Sequence, residues 1–146
     1  MPHDPALVAE TRAWLEKAAE DLAAAALDLA ANPPLCGDTA FHAQQAVEKV
    51  LKAFLTWHGR EFRKTHNLIE LGQYDAELDR NLGPLLRRAA PLTEYAWKFR
   101  YPGDPERPTR QEAEEALAIA QRVYDAVVER LPGIMHRGNR LRDSSS

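Results

Sequence analysis

The segment from residue 41 to residue 57 constrains the fold more than any other part of the chain. At about 100° per residue, apolar side chains cover more than half of its helical circumference, at Ala43, Val47, Val50, Leu51, Phe54 and Trp57. Such a helix has to be covered from more than one side, at the centre of a bundle or at an oligomer interface. We therefore expect this segment to be the core helix of the protein.

A polar stripe runs along the other side of the same helix and contains His42, Gln45, Lys49 and Lys52. With a rise of about 1.5 Å per residue, these groups lie within about 15 Å of one another and could hold a phosphate or a nucleotide. The alternative is a solvated bundle face stabilised by pairs such as Glu48 with Lys52. His42 alone fits equally well as a buried structural histidine.

The flanking segments also have a helical period. The first helix is predicted from Pro5 to about Ala31, where two prolines at 33 and 34 stop it. Asp38 or Thr39 is expected to cap the core helix, and Gly59 suits the left-handed position after its end.

The second half of the chain is more interrupted. Thr65 or Asn67 can cap a helix of one or two turns that Gly72 closes. A longer helix is predicted from Pro84 to Phe99, kinked or unwound at Pro91. The final helix starts at a capping box formed by residues 109–112 and ends before Pro132.

This order of elements, with no strand pattern, predicts an all-α fold. We expect an antiparallel up-and-down bundle of four long helices and one short helix, in one domain over residues 1–133. Residues 134–146 form a basic and polar tail that we expect to be disordered.

Composition excludes several classes of function. The net charge of -3 and pI of about 6.0 give no overall attraction to nucleic acid or membrane. The single cysteine, Cys36, excludes an intramolecular disulfide and a cysteine-based zinc site. Asp75, Glu77 and Asp79 are expected to be solvated rather than to bind metal, so neither a metal nor a cofactor is predicted. With no signal peptide or membrane-spanning run, the chain is predicted to be cytoplasmic.

Four motifs resemble the prokaryotic HEPN domain. They are Trp-Leu-Glu-Lys-Ala-Ala-Glu-Asp at 14–21, Phe-His-Ala-Gln-Gln-Ala-Val-Glu-Lys at 41–49, Thr-His-Asn-Leu at 65–68 and Arg-Tyr-Pro at 100–102. Their order and spacing follow that family over about residues 8 to 131. The resemblance implies a helical bundle that is usually homodimeric, often encoded beside a minimal nucleotidyltransferase. It also implies links to nucleotide binding, toxin–antitoxin pairs and defence systems.

Several HEPN branches are metal-independent ribonucleases with an Arg-x(4–6)-His motif, and this sequence departs from that motif. After Arg100 the corresponding positions are Pro105, Glu106 and Arg107, and the next histidine is His136. Catalysis by the family's usual pair is therefore not expected. If the chain were a degenerate ribonuclease, Arg100 and either His66 or His42 would be the candidate catalytic residues.

We predict a nucleotide- or RNA-binding accessory protein that dimerises and is the partner of a minimal nucleotidyltransferase. His66 lies at a predicted helix N-terminus, which favours an anion, and Arg100 and Tyr101 open an irregular loop. The alternatives are the degenerate ribonuclease and a purely structural dimerisation module. The predicted binding residues are His42, Gln45, Lys49, Lys52, His66, Arg100 and Tyr101.

Overall fold

All regular elements in the described part of the protein are helical. The computed structural model describes residues 4–99, 102–103 and 107–135. Its five α-helices are α1 (Pro5–Ala30), α2 (Cys36–Trp57), α3 (Leu68–Leu78), α4 (Gly83–Ala89) and α5 (Arg110–Glu129). Three short 3-10 helices cover Arg80–Leu82, Ala90–Ala96 and Gly133–Met135. The predicted all-α class is confirmed for these residues.

Helix α2 lies at the centre of the packing, against α1, α5, α3 and the 3-10 helix Ala90–Ala96. Val47, Val50 and Leu55 are fully buried, and Leu51 and Phe54 nearly so. The prediction of a core helix is therefore confirmed. Its wide apolar arc is covered from several sides, as the hydrophobic effect requires of a helix with apolar side chains over more than half of its circumference.

Local capping signals fix several helix ends. The side chain of Thr109 accepts a hydrogen bond from the Glu112 amide at 3.0 Å, and the Glu112 carboxylate accepts one from the Thr109 amide at 3.0 Å. The predicted capping box of α5 is thus confirmed. Asn67 caps α3 through its side-chain oxygen, and Gly59 has a φ of 67° after the end of α2.

The predicted cap of α2 is wrong. The helix begins at Cys36, before Asp38 and Thr39, and Leu35 at its N-cap position makes no side-chain capping bond. Thr39 instead donates its hydroxyl to the backbone oxygens of Ala25 at 3.2 Å and Leu35 at 3.1 Å. Its side chain therefore attaches α2 to α1.

The middle of the chain differs most from the prediction. Helix α3 continues through Gly72, where an added Cβ would meet Leu86 of α4 at 3.5 Å, an ordinary contact distance, so the packing of α3 on α4 does not require a glycine here. The helix predicted from 84 to 99 ends at Ala89 and continues as the 3-10 helix Ala90–Ala96. Pro91 in its first turn lacks an amide proton and clashes with the carbonyl four residues earlier, so the α-helical pattern stops there.

The described chain therefore contains three long helices of 26, 22 and 20 residues. The prediction of four long helices and one short helix is not confirmed in this detail. No helix within the described residues is long and apolar enough to span a membrane. Most of the predicted tail, from residue 136 onward, lies outside the described residues.

The three acidic side chains expected to be solvated behave differently from one another. Asp75 on α3 is fully buried, and neither carboxyl oxygen has a hydrogen-bond partner among the described residues. Burial raises the pKa of Asp75 well above its ordinary value. Asp79 pairs at 2.7 Å with Arg130, the C-cap residue of α5, and Glu77 pairs with Arg60 at 3.3 Å. No metal-binding group of acidic, histidine or cysteine side chains occurs in the described part of the chain.

Candidate functional site

The polar stripe of α2 is divided between two clusters of charged and polar side chains. Each cluster is built around a carboxylate, Asp21 or Glu48, that was not among the predicted binding residues. The α1–α2 cluster consists of Asp21, Asp28, His42 and Lys49. The Glu48 cluster consists of Gln44, Glu48, Lys52 and His66.

In the α1–α2 cluster, one carboxylate of α1 binds two side chains of α2. Asp21 accepts from Lys49 Nζ at 2.5 Å, and its other oxygen lies 3.2 Å from His42 Nδ1. The second ring nitrogen of His42 lies 3.8 Å from Asp28. Burial raises the pKa of Asp28, the electrostatic interaction with His42 lowers it, and repulsion by the neighbouring Asp38 raises it further. These contacts hold α1 against α2.

In the Glu48 cluster, a buried carboxylate is surrounded by three nitrogen atoms. Lys52 Nζ lies 3.2 Å from Glu48 Oε2, while Oε1 lies 2.6 Å from His66 Nδ1 and 3.4 Å from Gln44 Nε2. The Glu48 and Lys52 side chains are only 4% and 7% exposed, whereas His66 is 66% exposed. An imidazole at the surface is thus anchored to a charge pair in the interior.

Aromatic rings cover the ammonium group of this pair. Lys52 Nζ lies 5.4 Å from the centre of the Trp14 ring and 6.0 Å from that of Phe62. Both rings lie within the range of cation–π attraction. The Lys52 charge is therefore stabilised by Glu48 and the rings, and it is shielded from water.

Two amide side chains extend the cluster along α2. Gln45 donates to the side-chain oxygen of Gln44 at 2.6 Å, and Gln44 donates to the backbone oxygen of His66 at 3.4 Å. Gln44 thus connects α2 to the loop before α3. This contact helps to fix the position of His66 on the face of α2.

The predicted site residues are consequently distributed as follows. His42 and Lys49 belong to the α1–α2 cluster, Lys52 and His66 belong to the Glu48 cluster, and Gln45 contacts the latter through its neighbour. The solvated face considered as an alternative for the Glu48–Lys52 pair is wrong, because this pair is buried. Arg100 and Tyr101, two further predicted residues, lie outside the described residues.

Electrostatically the stripe is balanced rather than cationic. Lys49 faces Asp21, and Lys52 faces Glu48. The loop after α2, which carries Arg60, Arg63 and Lys64, is also neutralised in part, because Arg63 makes a bidentate pair with Glu70 at 2.8 and 2.9 Å. Two paired ammonium groups offer little free charge to a phosphate.

Sequence reasoning missed Asp21 and the importance of Glu48. Both residues were inside the two motifs that carry the family resemblance, at 14–21 and 41–49. The spacing of Glu48 and Lys52 identified them as a pair, but nothing local showed that Trp14 and Phe62 cover it. The position of both residues inside these motifs was the sequence signal that could have identified them.

Comparison with known protein families identifies a match over most of the chain. Residues 11–131 match the model of a family described as the HEPN domain. The matched range includes both clusters and most of the described chain. Comparisons with curated proteins and with solved structures give no significant match.

Proposed function

The chain belongs to the HEPN domain family, and on this premise we propose that it is an accessory protein that binds a nucleotide or RNA through the face bearing His66. HEPN domains have nucleotide- and RNA-related roles. The observation that carries the proposal is His66 itself, which is 66% exposed although its Nδ1 lies 2.6 Å from a carboxylate that is 4% exposed. A surface ring held from beneath is oriented before a ligand arrives, which reduces the entropy lost on binding.

The predicted residues take unequal parts in this proposal. His66 and Gln45 offer polar groups to a base or a sugar, while Lys49 and Lys52 chiefly hold the framework through their carboxylate partners. Any phosphate would be bound by cations outside the two clusters, and Arg100 is our candidate. Tyr101 beside it could stack on a base.

Equilibrium titration with AMP, ATP and a short single-stranded RNA tests the proposal. We expect saturable binding that weakens about tenfold in His66→Ala, the loss of roughly one hydrogen bond. His58→Ala is the matched control, because His58 is also exposed and packs on Phe54 away from Glu48. Absence of binding at millimolar ligand, or equal losses in the two variants, would contradict a site at His66.

We further propose that the protein forms a homodimer and associates with a minimal nucleotidyltransferase, as part of a toxin–antitoxin or defence-type system. HEPN domains commonly dimerise. Large apolar side chains at the surface include Leu27 at 74% and Trp97 at 53% exposure, and a partner chain would cover some of them. Light scattering of the purified protein, alone and after co-expression with a neighbouring nucleotidyltransferase, tests both associations. A monomer that does not co-purify with the enzyme would contradict them.

A degenerate ribonuclease is the second candidate, because a histidine oriented by a carboxylate is a common arrangement for a general base. In that case Arg100 would stabilise the phosphate and His66 would take the proton. Cleavage of RNA in EDTA, lost in both Arg100→Ala and His66→Ala, would favour this reading. If neither binding nor cleavage occurs, the balanced charges of the stripe favour a structural dimerisation module.

A further inference from the structure

The surroundings of Glu48 determine which nitrogen of His66 carries a proton. Glu48 Oε2 accepts from the Lys52 ammonium at 3.2 Å, and Oε1 accepts from the Gln44 amide at 3.4 Å. In this ion pair Glu48 is a carboxylate, which accepts hydrogen bonds and cannot donate them. The atom facing Oε1 at 2.6 Å is His66 Nδ1.

Two acceptors with facing lone pairs at that separation would repel each other. Nδ1 must therefore carry hydrogen, and it donates to Glu48. In the neutral ring the other nitrogen, Nε2, then has a free lone pair, because the tautomer is set by the bond that the first nitrogen makes. Nε2 has no hydrogen-bond partner within the described residues, and the ring is largely exposed.

We infer that Glu48 is a positioning residue that holds neutral His66 as the Nδ1–H tautomer, so that the outward Nε2 accepts a hydrogen bond from a donor group of the ligand. This inference rests on the proposed function and specifies that the group bound by His66 is a hydrogen-bond donor. In AMP the matching donors are the ribose hydroxyls and the exocyclic base amine. A fully ionised phosphate has only acceptors and does not match neutral His66.

The tautomer can be measured without any ligand. Long-range ¹⁵N–¹H correlation spectra at a pH where His66 is neutral distinguish a protonated Nδ1 from a protonated Nε2. We expect the Nδ1–H pattern for His66 in the wild-type protein. His58 is the control, because it has a ring contact with Phe54 and no carboxylate partner among the described residues.

A double variant, Glu48→Leu with Lys52→Met, removes the carboxylate and its counter-charge together, so that no buried charge is left unpaired. We expect His66 to lose its preference for Nδ1–H in this variant, while His58 does not change. An Nε2–H pattern in the wild type would overturn the inference even if the variant does not fold. An Nδ1–H pattern that persists in a folded variant would overturn the role of Glu48.

Ligand binding forms the second part of the test. AMP, 2′,3′-dideoxy-AMP and purine riboside 5′-monophosphate separate the two donors, since the second lacks both ribose hydroxyls and the third lacks the base amine without gaining a ring N–H. A loss of about tenfold with one analogue in the wild type, absent in His66→Ala, is expected and identifies the donor.

Equal affinities for all three ligands would overturn the acceptor role of Nε2. Nδ1–H without binding of any nucleotide would refute the proposed function and the ligand assignment, and would leave the tautomer in place. Nucleotide binding to a protein with Nε2–H would refute this inference alone. The failures of the two proposals are thus distinguishable.

Discussion

The buried pair of Glu48 and Lys52 gives the sharpest prediction about stability. In Lys52→Met the carboxylate keeps its place, 4% exposed, but loses the ammonium 3.2 Å away. Breaking a buried ion pair from one side costs about 3–5 kcal/mol, because the remaining charge stays out of water without its counter-ion. Removing the ammonium also ends its attraction to the Trp14 ring at 5.4 Å. For a chain of this size, we expect the midpoint of thermal unfolding to fall by roughly 10 °C.

Urea denaturation followed by circular dichroism measures this cost, provided that the slope with denaturant is unchanged. Lys17→Met is the matched control, because Lys17 pairs with Glu20 at 3.8 Å but both side chains are more than 60% exposed. We expect no measurable change there. The double variant Glu48→Leu with Lys52→Met should recover most of the loss or exceed wild-type stability. A single variant that costs less than about 1 kcal/mol would refute the reasoning, since it would mean that water or the His66 ring compensates the charge of Glu48 without Lys52.

Three further predictions concern single positions. Because burial raises the pKa of Asp75 in the folded state above its ordinary value of 3.8, wild-type stability should fall as the pH rises from about 4 through that raised pKa. Asp75→Asn should remove this dependence and be more stable than the wild type at pH 7. Urea denaturation of both proteins at pH 4 and pH 7 would show this, and the same change of stability with pH in both proteins would contradict it. Gly72→Ala should stabilise by up to about 1 kcal/mol, since the new Cβ meets Leu86 at an ordinary 3.5 Å inside a helix. Gly59→Ala should destabilise by about 1 kcal/mol, because its φ of 67° is left-handed; melting curves that reverse the two signs would refute both.

Much of the fold was predictable because its signals are local. The apolar arc of α2 requires burial whatever its neighbours are, and the capping box at Thr109 needs only the residues three positions apart. The segment around Pro91 was predictable only in part. Its proline indicated an interruption, but whether the chain kinks, unwinds or continues as a 3-10 helix depends on how α4 and α3 pack.

The candidate site was less predictable, for a physical reason. Sequence periodicity finds polar residues on one face of a helix, but the burial of that face depends on side chains elsewhere in the chain. Lys52 is covered by Trp14 and Phe62, and Lys49 is paired with an aspartate 28 positions earlier. The sequence of α2 alone therefore suggests a cationic stripe, whereas in the folded protein the stripe and its partners are close to neutral.

This neutrality bears on why the Glu48 cluster exists. A buried ion pair is weak evidence for stability, because apolar residues of similar volume usually do as well or better. If the double variant is as stable as wild type, the pair cannot be explained by folding. The charged pair would then differ from an apolar pair in one respect, the 2.6 Å contact between Glu48 and His66, which apolar side chains cannot make. If the double variant is as stable as the wild type but His66 loses its preference for the Nδ1–H tautomer, the role of Glu48 and Lys52 is to orient His66 rather than to stabilise the fold.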